Sequence, residues 1–150
     1  MRSFARPADH ADILRRLATL TPDRERRWGR MTAHEAVCHM ADAFRMAGGS
    51  LPVVATGRLA HRTLLKWVVL YAPVRWPTGI RSSPELDQAR GGGSRPADFA
   101  ADLEALCRLA DSAAAPGTRA PHPLFGPLSH AAWLRWAWLH TDHHLRQFGA

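Results

Sequence analysis

The chain is poor in the groups that staple or anchor a protein. Only two cysteines occur among its 150 residues, Cys38 and Cys107, and they form no Cys-x-x-Cys pair. A disulfide framework and a four-thiolate zinc knuckle are thereby excluded, and the expectation is two buried free thiols in a reducing cytoplasm. Long apolar runs are missing too. The most apolar stretch, Leu64 to Val74, is broken by Lys66 and Pro73 and falls well short of the ~20 residues that span a bilayer. Near the start, Arg2, Arg6, Asp9 and Asp12 interrupt any run suited to a secretion signal, so the reading is cytoplasmic, with no membrane partner. No strand-like alternation, internal repeat, Gly-rich phosphate loop or supported carboxylate pair competes for attention. Lysine is reduced to Lys66 alone.

Arginine makes up the rest of a basic excess that sets the net charge at +7. Such a balance invites a nucleic-acid reading, but the arginines are scattered from Arg2 to Arg146 and interleaved with acids. The densest group, Arg24, Arg26, Arg27 and Arg30, sits beside Asp23 and Glu25 in a loop-like segment. A solvated surface is the simpler reading, and nucleic acid is not the expected partner. Apolar residues at 46% and charged residues at 22% describe an ordinary globular chain. Its length suits one domain covering residues 1–150.

Apolar periodicity places helices along the whole chain. Ile13, Leu14, Leu17 and Leu20 recur at helical spacing over 8–20. Thr32-Ala-His-Glu35 is a capping box, which starts a helix at Ala33 that runs to Ala47 and stops at Gly48-Gly49. A third helix is expected over 58–71, with Leu59, Leu64, Leu65, Val68 and Val69 buried on a wide face. Residues 74–96 form a long Pro/Gly-rich loop, either functional or mobile. A fourth helix covers 97–113, with Asp102 turned outward, and Ser129 caps a last one over 130–148. Four long helices and a shorter one read as an all-α four-helix bundle.

Nine histidines lie on this frame. On an α-helix each residue advances about 100°, so His140 and His144 lie about 40° apart, one turn from each other. They share the inward stripe of Trp133, Trp136 and Phe148, and two imidazoles so placed can reach one metal ion. By itself this pair describes core or rim histidines equally well. His39, in the middle of the capped helix beside Met40 and Ala43, faces inward and supplies a third ligand. His143 is an alternative to His144, with a surface or supporting role as the simpler reading, and His34 belongs to an exposed first turn. Gln147 and Asp142 are candidates to brace a ligand imidazole. Arg45 or Arg146 is placed to steer an anionic substrate, and Trp76 or Arg81 of the long loop to touch it.

The segment His39-Met-Ala-Asp-Ala, with His140-x-x-x-His144-x-x-Gln147, resembles the DinB/YfiT-like metal-binding bundle superfamily. The nearest likeness is to its small DinB-like branch of unknown function, through Trp76-Pro-x-Gly79, Pro84-Glu-Leu-Asp-Gln88, His122-Pro-Leu-Phe-Gly126 and Asp142-His-His-Leu-Arg-Gln-Phe148. The resemblance implies a four-helix core holding a divalent ion on His39, His140 and His144. Zinc is the default, with nickel, iron or manganese as alternatives. Relatives in that superfamily include thiol-dependent transferases and isomerases, and the first functional expectation is a metal-dependent enzyme, a thiol-dependent transferase or a hydrolase, with a small-molecule substrate. A homodimer is a separate expectation. The competing class is a non-catalytic module that binds a partner or nucleic acid through its arginines. His143 and Arg146 depart from the superfamily pattern.

Overall fold

A computed structural model describes residues 1–150 and is all-helical. Four helices carry the bundle: α1 (Pro7–Leu17), α2 (Ala33–Ala47), α4 (Phe99–Ser112) and α5 (His130–Gln147), with the short α3 (Lys66–Tyr71) set outside. Their main contacts run from α1 to α4, α4 to α2, α2 to α5 and α5 back to α1, a closed ring of four around one core. Ile13, Leu17, Val37, Met40, Leu106 and Leu145 meet in it, each fully buried.

Local chemistry sets the boundaries. The Thr32 hydroxyl accepts from the Glu35 amide while Glu35 returns to the Thr32 amide, so α2 starts where the capping box requires. Asp98 and Ser129 cap α4 and α5 through the amides of Ala101 and Ala132. The first helix ends at Leu17, three residues before the expected limit, yet Leu20 is still buried.

The third helix departs from expectation. A π-helical turn (His61–Leu65), kinked at Thr63, precedes α3, and the Thr63 hydroxyl donates to the Leu59 carbonyl. Only Leu70 of α3 is buried, whereas Leu59, Leu64, Trp67 and Val68 are exposed. The dense apolar pattern was read as a helix buried over a wide face. In the fold, α3 packs mainly on α5, Leu65, Val68 and Val69 line a cavity, and Leu59, Leu64 and Trp67 are left without cover.

Beside that cavity the chain makes a tight turn at 122–126. His122 and Gly126 exchange backbone hydrogen bonds of 2.9 and 2.8 Å, with Gly126 at φ +70°, a conformation that favours glycine. The His122 Nδ1 accepts from the amides of Leu124 and Phe125, so the proton lies on Nε2, and the ring stacks on Phe125. Burial lowers the His122 pKa to about 4.

The native turn therefore holds a neutral imidazole at pH values where the unfolded chain, titrating near ~6.5, takes a proton. This contribution is intact above the unfolded pKa and is lost as pH falls from there through the folded value, by about 3 kcal/mol at the acid end. His122→Asn keeps an acceptor for both amides and removes the titration. Urea midpoints measured between pH 7 and pH 4 should fall less steeply in His122→Asn than in the natural chain. Parallel curves would show that His122 is not buried neutral.

Candidate metal centre

Two helices and one loop converge on three imidazoles. His39 is fixed by the middle of α2 and His140 and His144 by successive turns of α5. One ring nitrogen from each of the three lies within 4.8 Å of the others. Ring centroids are 5.1 Å apart for His39 and His140, 4.6 Å for His39 and His144, and 4.7 Å for His140 and His144. His39 and His144 are buried and His140 half-buried, with the Trp136 ring stacked on it at 4.7 Å.

Hydrogen bonds settle which nitrogens are free. His39 Nδ1 donates to the Leu86 carbonyl at 2.6 Å, which turns its Nε2 lone pair inward. The Gln147 amide nitrogen donates to the Trp28 carbonyl, so its oxygen faces His144 and accepts from Nδ1 at 2.9 Å. That orientation leaves His144 Nε2 as a bare acceptor too. His140 Nε2 lies 3.1 Å from His39 Nε2. Two imidazole nitrogens on one tetrahedral ion at ~2.0–2.1 Å would be about 3.3 Å apart. A single His140 N–H can satisfy only one of the two bare acceptors, so the cluster has room for a cation and a deficit of protons.

Electrostatics agree with neutral rings. Burial holds the pKa values of His140 and His144 well below the usual imidazole range, and the neighbouring imidazoles add to the depression. For His39, burial also lowers the pKa, against the opposing hydrogen bond to Leu86. Neutral imidazole is the form that ligates metal.

The loop that supplies Leu86 is held by a residue that the helical pattern left without a role. Asp42, one turn after His39 on α2, is fully buried. Its oxygens accept from Gln88 Nε2 at 2.8 Å, the Ser94 amide at 2.6 Å, the Ser94 hydroxyl at 2.7 Å and Arg45 at 2.8 Å. Three of these donors fasten residues 88–94 to α2, and Arg45 of α2 itself supplies the fourth. Gly93, at φ +65°, is required there, because a Cβ would stand 2.7 Å from the carboxylate.

Several expected placements differ. Asp142 does not brace an imidazole: its oxygens bond Arg16 and Arg146, each at 2.8 Å, which ties α5 to α1. Arg45 and Arg146, expected to steer substrate, are both committed to carboxylates. His34 is not simply exposed but half-buried, 2.7 Å from Asp102, which in turn is not turned outward and links α4 to α2. His143 is buried rather than on the surface, and its Nδ1 has no hydrogen-bond partner. Both cysteines are free, Cys38 buried and Cys107 half-buried. Arg24 caps the carboxyl end of α5 through the carbonyls of Phe148 and Gly149, so part of the basic cluster is structural.

Above the imidazoles opens a cavity of about 540 Å³, within the range of small-molecule sites. Residues 74–77 and 80–83 of the long loop, α3 and the 122–125 turn form its sides, and His39, His140, His143 and His144 belong to its lining.

An all-helical bundle with three clustered imidazoles, two buried and one half-buried, in the lining of a cavity is thus the class of protein described by fold and site. The chain belongs to the family described as protein of unknown function (DUF1569), whose model matches residues 8–150. No curated protein and no solved structure matched in the same comparisons.

Asp42→Ala should cost about 2–4 kcal/mol in urea unfolding, since the Gln88 and Ser94 donors lose their buried acceptor. In ¹⁵N spectra of the natural chain, His39 and His144 should both appear as Nδ1–H tautomers, and the His39 signal should exchange faster with water in Asp42→Ala. An unaltered His39 signal in a folded variant would disconnect Asp42 from the site.

Proposed function

We propose that His39, His140 and His144 hold one divalent metal ion, zinc by default, and that the chain is a metal-dependent enzyme acting on a small molecule in the cavity above them. The observation that carries this is the convergence of one ring nitrogen from each of three imidazoles within 4.8 Å, with the Nδ1 atoms of His39 and His144 already spent on Leu86 and Gln147 so that both Nε2 atoms are bare. The relation to the DinB/YfiT-like superfamily belongs to the same reading: the ligand positions, the four-helix ring and the small outer helix all support it.

Three neutral ligands leave such an ion its full charge and an open position, the arrangement of catalytic rather than closed structural zinc. When bound, the ion supplies Lewis acidity and lowers the pKa of a water or thiol beside it. The chain's own residues prepare the place. Leu86 and Gln147 fix two imidazole tautomers, Trp136 packs the third ring, and the apolar walls limit water. A transferase that uses a thiol co-substrate and a hydrolase both fit this arrangement.

Protein produced without a histidine tag should carry about one divalent ion per chain by elemental analysis. His140→Ala should lose most of it with helicity unchanged by circular dichroism, whereas His143→Ala should keep it. Equal metal content in His140→Ala and the natural chain would remove the proposal, and loss in His143→Ala alone would move the third ligand to that residue.

A further inference from the structure

The lining of the cavity is lopsided in charge. Apart from the imidazoles its only ionic groups are Arg75 and Arg81, and no Asp, Glu or Lys side chain reaches it. Arg75 and Arg81 are exposed and make no ion pair or side-chain hydrogen bond within the protein. Some arginines elsewhere in the fold, such as Arg16, Arg45 and Arg146, are each held by a carboxylate, and Arg75 and Arg81 are the unpaired ones that line this cavity. Two unpaired, exposed guanidiniums and the largely buried imidazoles therefore line one cavity.

Between them the walls are apolar. Val68, Val74 and Ile80 line the cavity while remaining 45%, 64% and 58% exposed, and Val69, Trp76 and Phe125 continue the surface inward. Exposed aliphatic side chains converging on one concave surface are stabilised when an apolar body covers them. Trp76 is held in place by its indole N–H, which donates to the Val69 carbonyl, so this part of the wall is fixed. One further polar atom lacks a partner: His143 Nδ1, in a side chain that is itself part of the lining and only 8% exposed.

From these features we infer the substrate class: a small amphipathic molecule with an apolar body and an anionic head, a carboxylate, sulfonate or phosphate, with the head held by Arg75 and Arg81. The planar guanidinium fork suits such heads. The apolar body lies along Val68, Val69, Val74 and Ile80, which directs its far end toward His143 and the imidazole cluster. A cationic head is excluded by the same lining, since two guanidiniums and no carboxylate would repel it. This inference rests on the reading of the cavity as the substrate site of a metal-dependent enzyme and adds to it the chemistry of what enters.

The test uses three molecules of one shape, 4-phenylbutyrate, 4-phenylbutan-1-ol and 4-phenylbutylamine, titrated calorimetrically into the full chain as purified and again after chelation. The acid should bind about tenfold more tightly than the alcohol, and the amine most weakly. In Arg75→Gln/Arg81→Gln, both exposed positions, the advantage of the acid over the alcohol should shrink to about threefold or less, while the alcohol itself binds as before. Val68→Glu should reverse the preference toward the amine. An amine that binds as well as the acid would overturn the inference, as would a double variant that keeps the acid's full advantage. So would failure of all three to bind at millimolar concentration. An advantage lost on chelation but retained in the double variant would put the anionic head at the imidazoles and equally overturn the assignment to the arginines. Metal content is read separately in each sample, so a chain that holds no ion fails the metal proposal while the arginine effect is still scored within a single metal state.

Discussion

Three imidazoles turned toward one another inside a protein impose the constraint around which the rest is arranged. Burial keeps them neutral, and two of them already spend their N–H outward, on Leu86 and Gln147. What remains at the centre is a set of lone pairs with fewer N–H groups than acceptors. The geometry that creates the deficit also relieves it, because the same lone pairs converge within the reach of one cation. The hydrogen bonds outside the cluster, to Leu86 and Gln147, hold the rings in that arrangement, and within it His39 and His140 approach to 3.1 Å.

Support for the arrangement comes from two directions. On α2, Asp42 fastens the 88–94 segment, and through it the 84–86 turn whose Leu86 carbonyl fixes His39. On α5, Gln147 is fixed by the Trp28 carbonyl, and Gly29 beside it leaves room, since a Cβ there would lie 2.5 Å from the Gln147 amide nitrogen. Each ligand of the buried pair is thus tied to a loop outside the bundle. The long segment between α3 and α4 therefore has a double duty, bracing His39 at its later part and lining the cavity with Arg75, Trp76 and Arg81 at its earlier part.

What could be read from the chain alone divides along physical lines. The limits of α2 were legible because a capping box is a local code, and the inward pairing of His140 and His144 because helical phase is local too. Helical phase also placed His39 on the inner face, and the structure brings it to the other two. Long-range partners left no such mark. Nothing local marks Asp42 as the anchor of a loop, since the loop groups that bind it lie 46 and 52 positions away. Arg45 and Arg146 looked free to meet substrate, although each has its carboxylate one turn away on its own helix, a pairing that spacing alone could have suggested. The third helix differs for another reason: an apolar pattern reports affinity for apolar surroundings, and here Leu65, Val68 and Val69 line a cavity while Leu59, Leu64 and Trp67 stay exposed outside it.

Basic charge, the feature that first suggested nucleic acid, has largely local employment in the fold. Arg16, Arg45, Arg108 and Arg146 pair with carboxylates, Arg24 and Arg135 bond backbone carbonyls, and Arg75 and Arg81 are left beside the cavity. The central claim, an ion held by three imidazoles, is tested most directly by X-ray absorption at the edge of the metal that the purified chain carries. The account predicts a first shell containing about three imidazole nitrogens at ~2.0–2.1 Å with no sulfur. A shell of sulfur or of water oxygens alone, or a chain that binds no ion when metal is supplied, would contradict it.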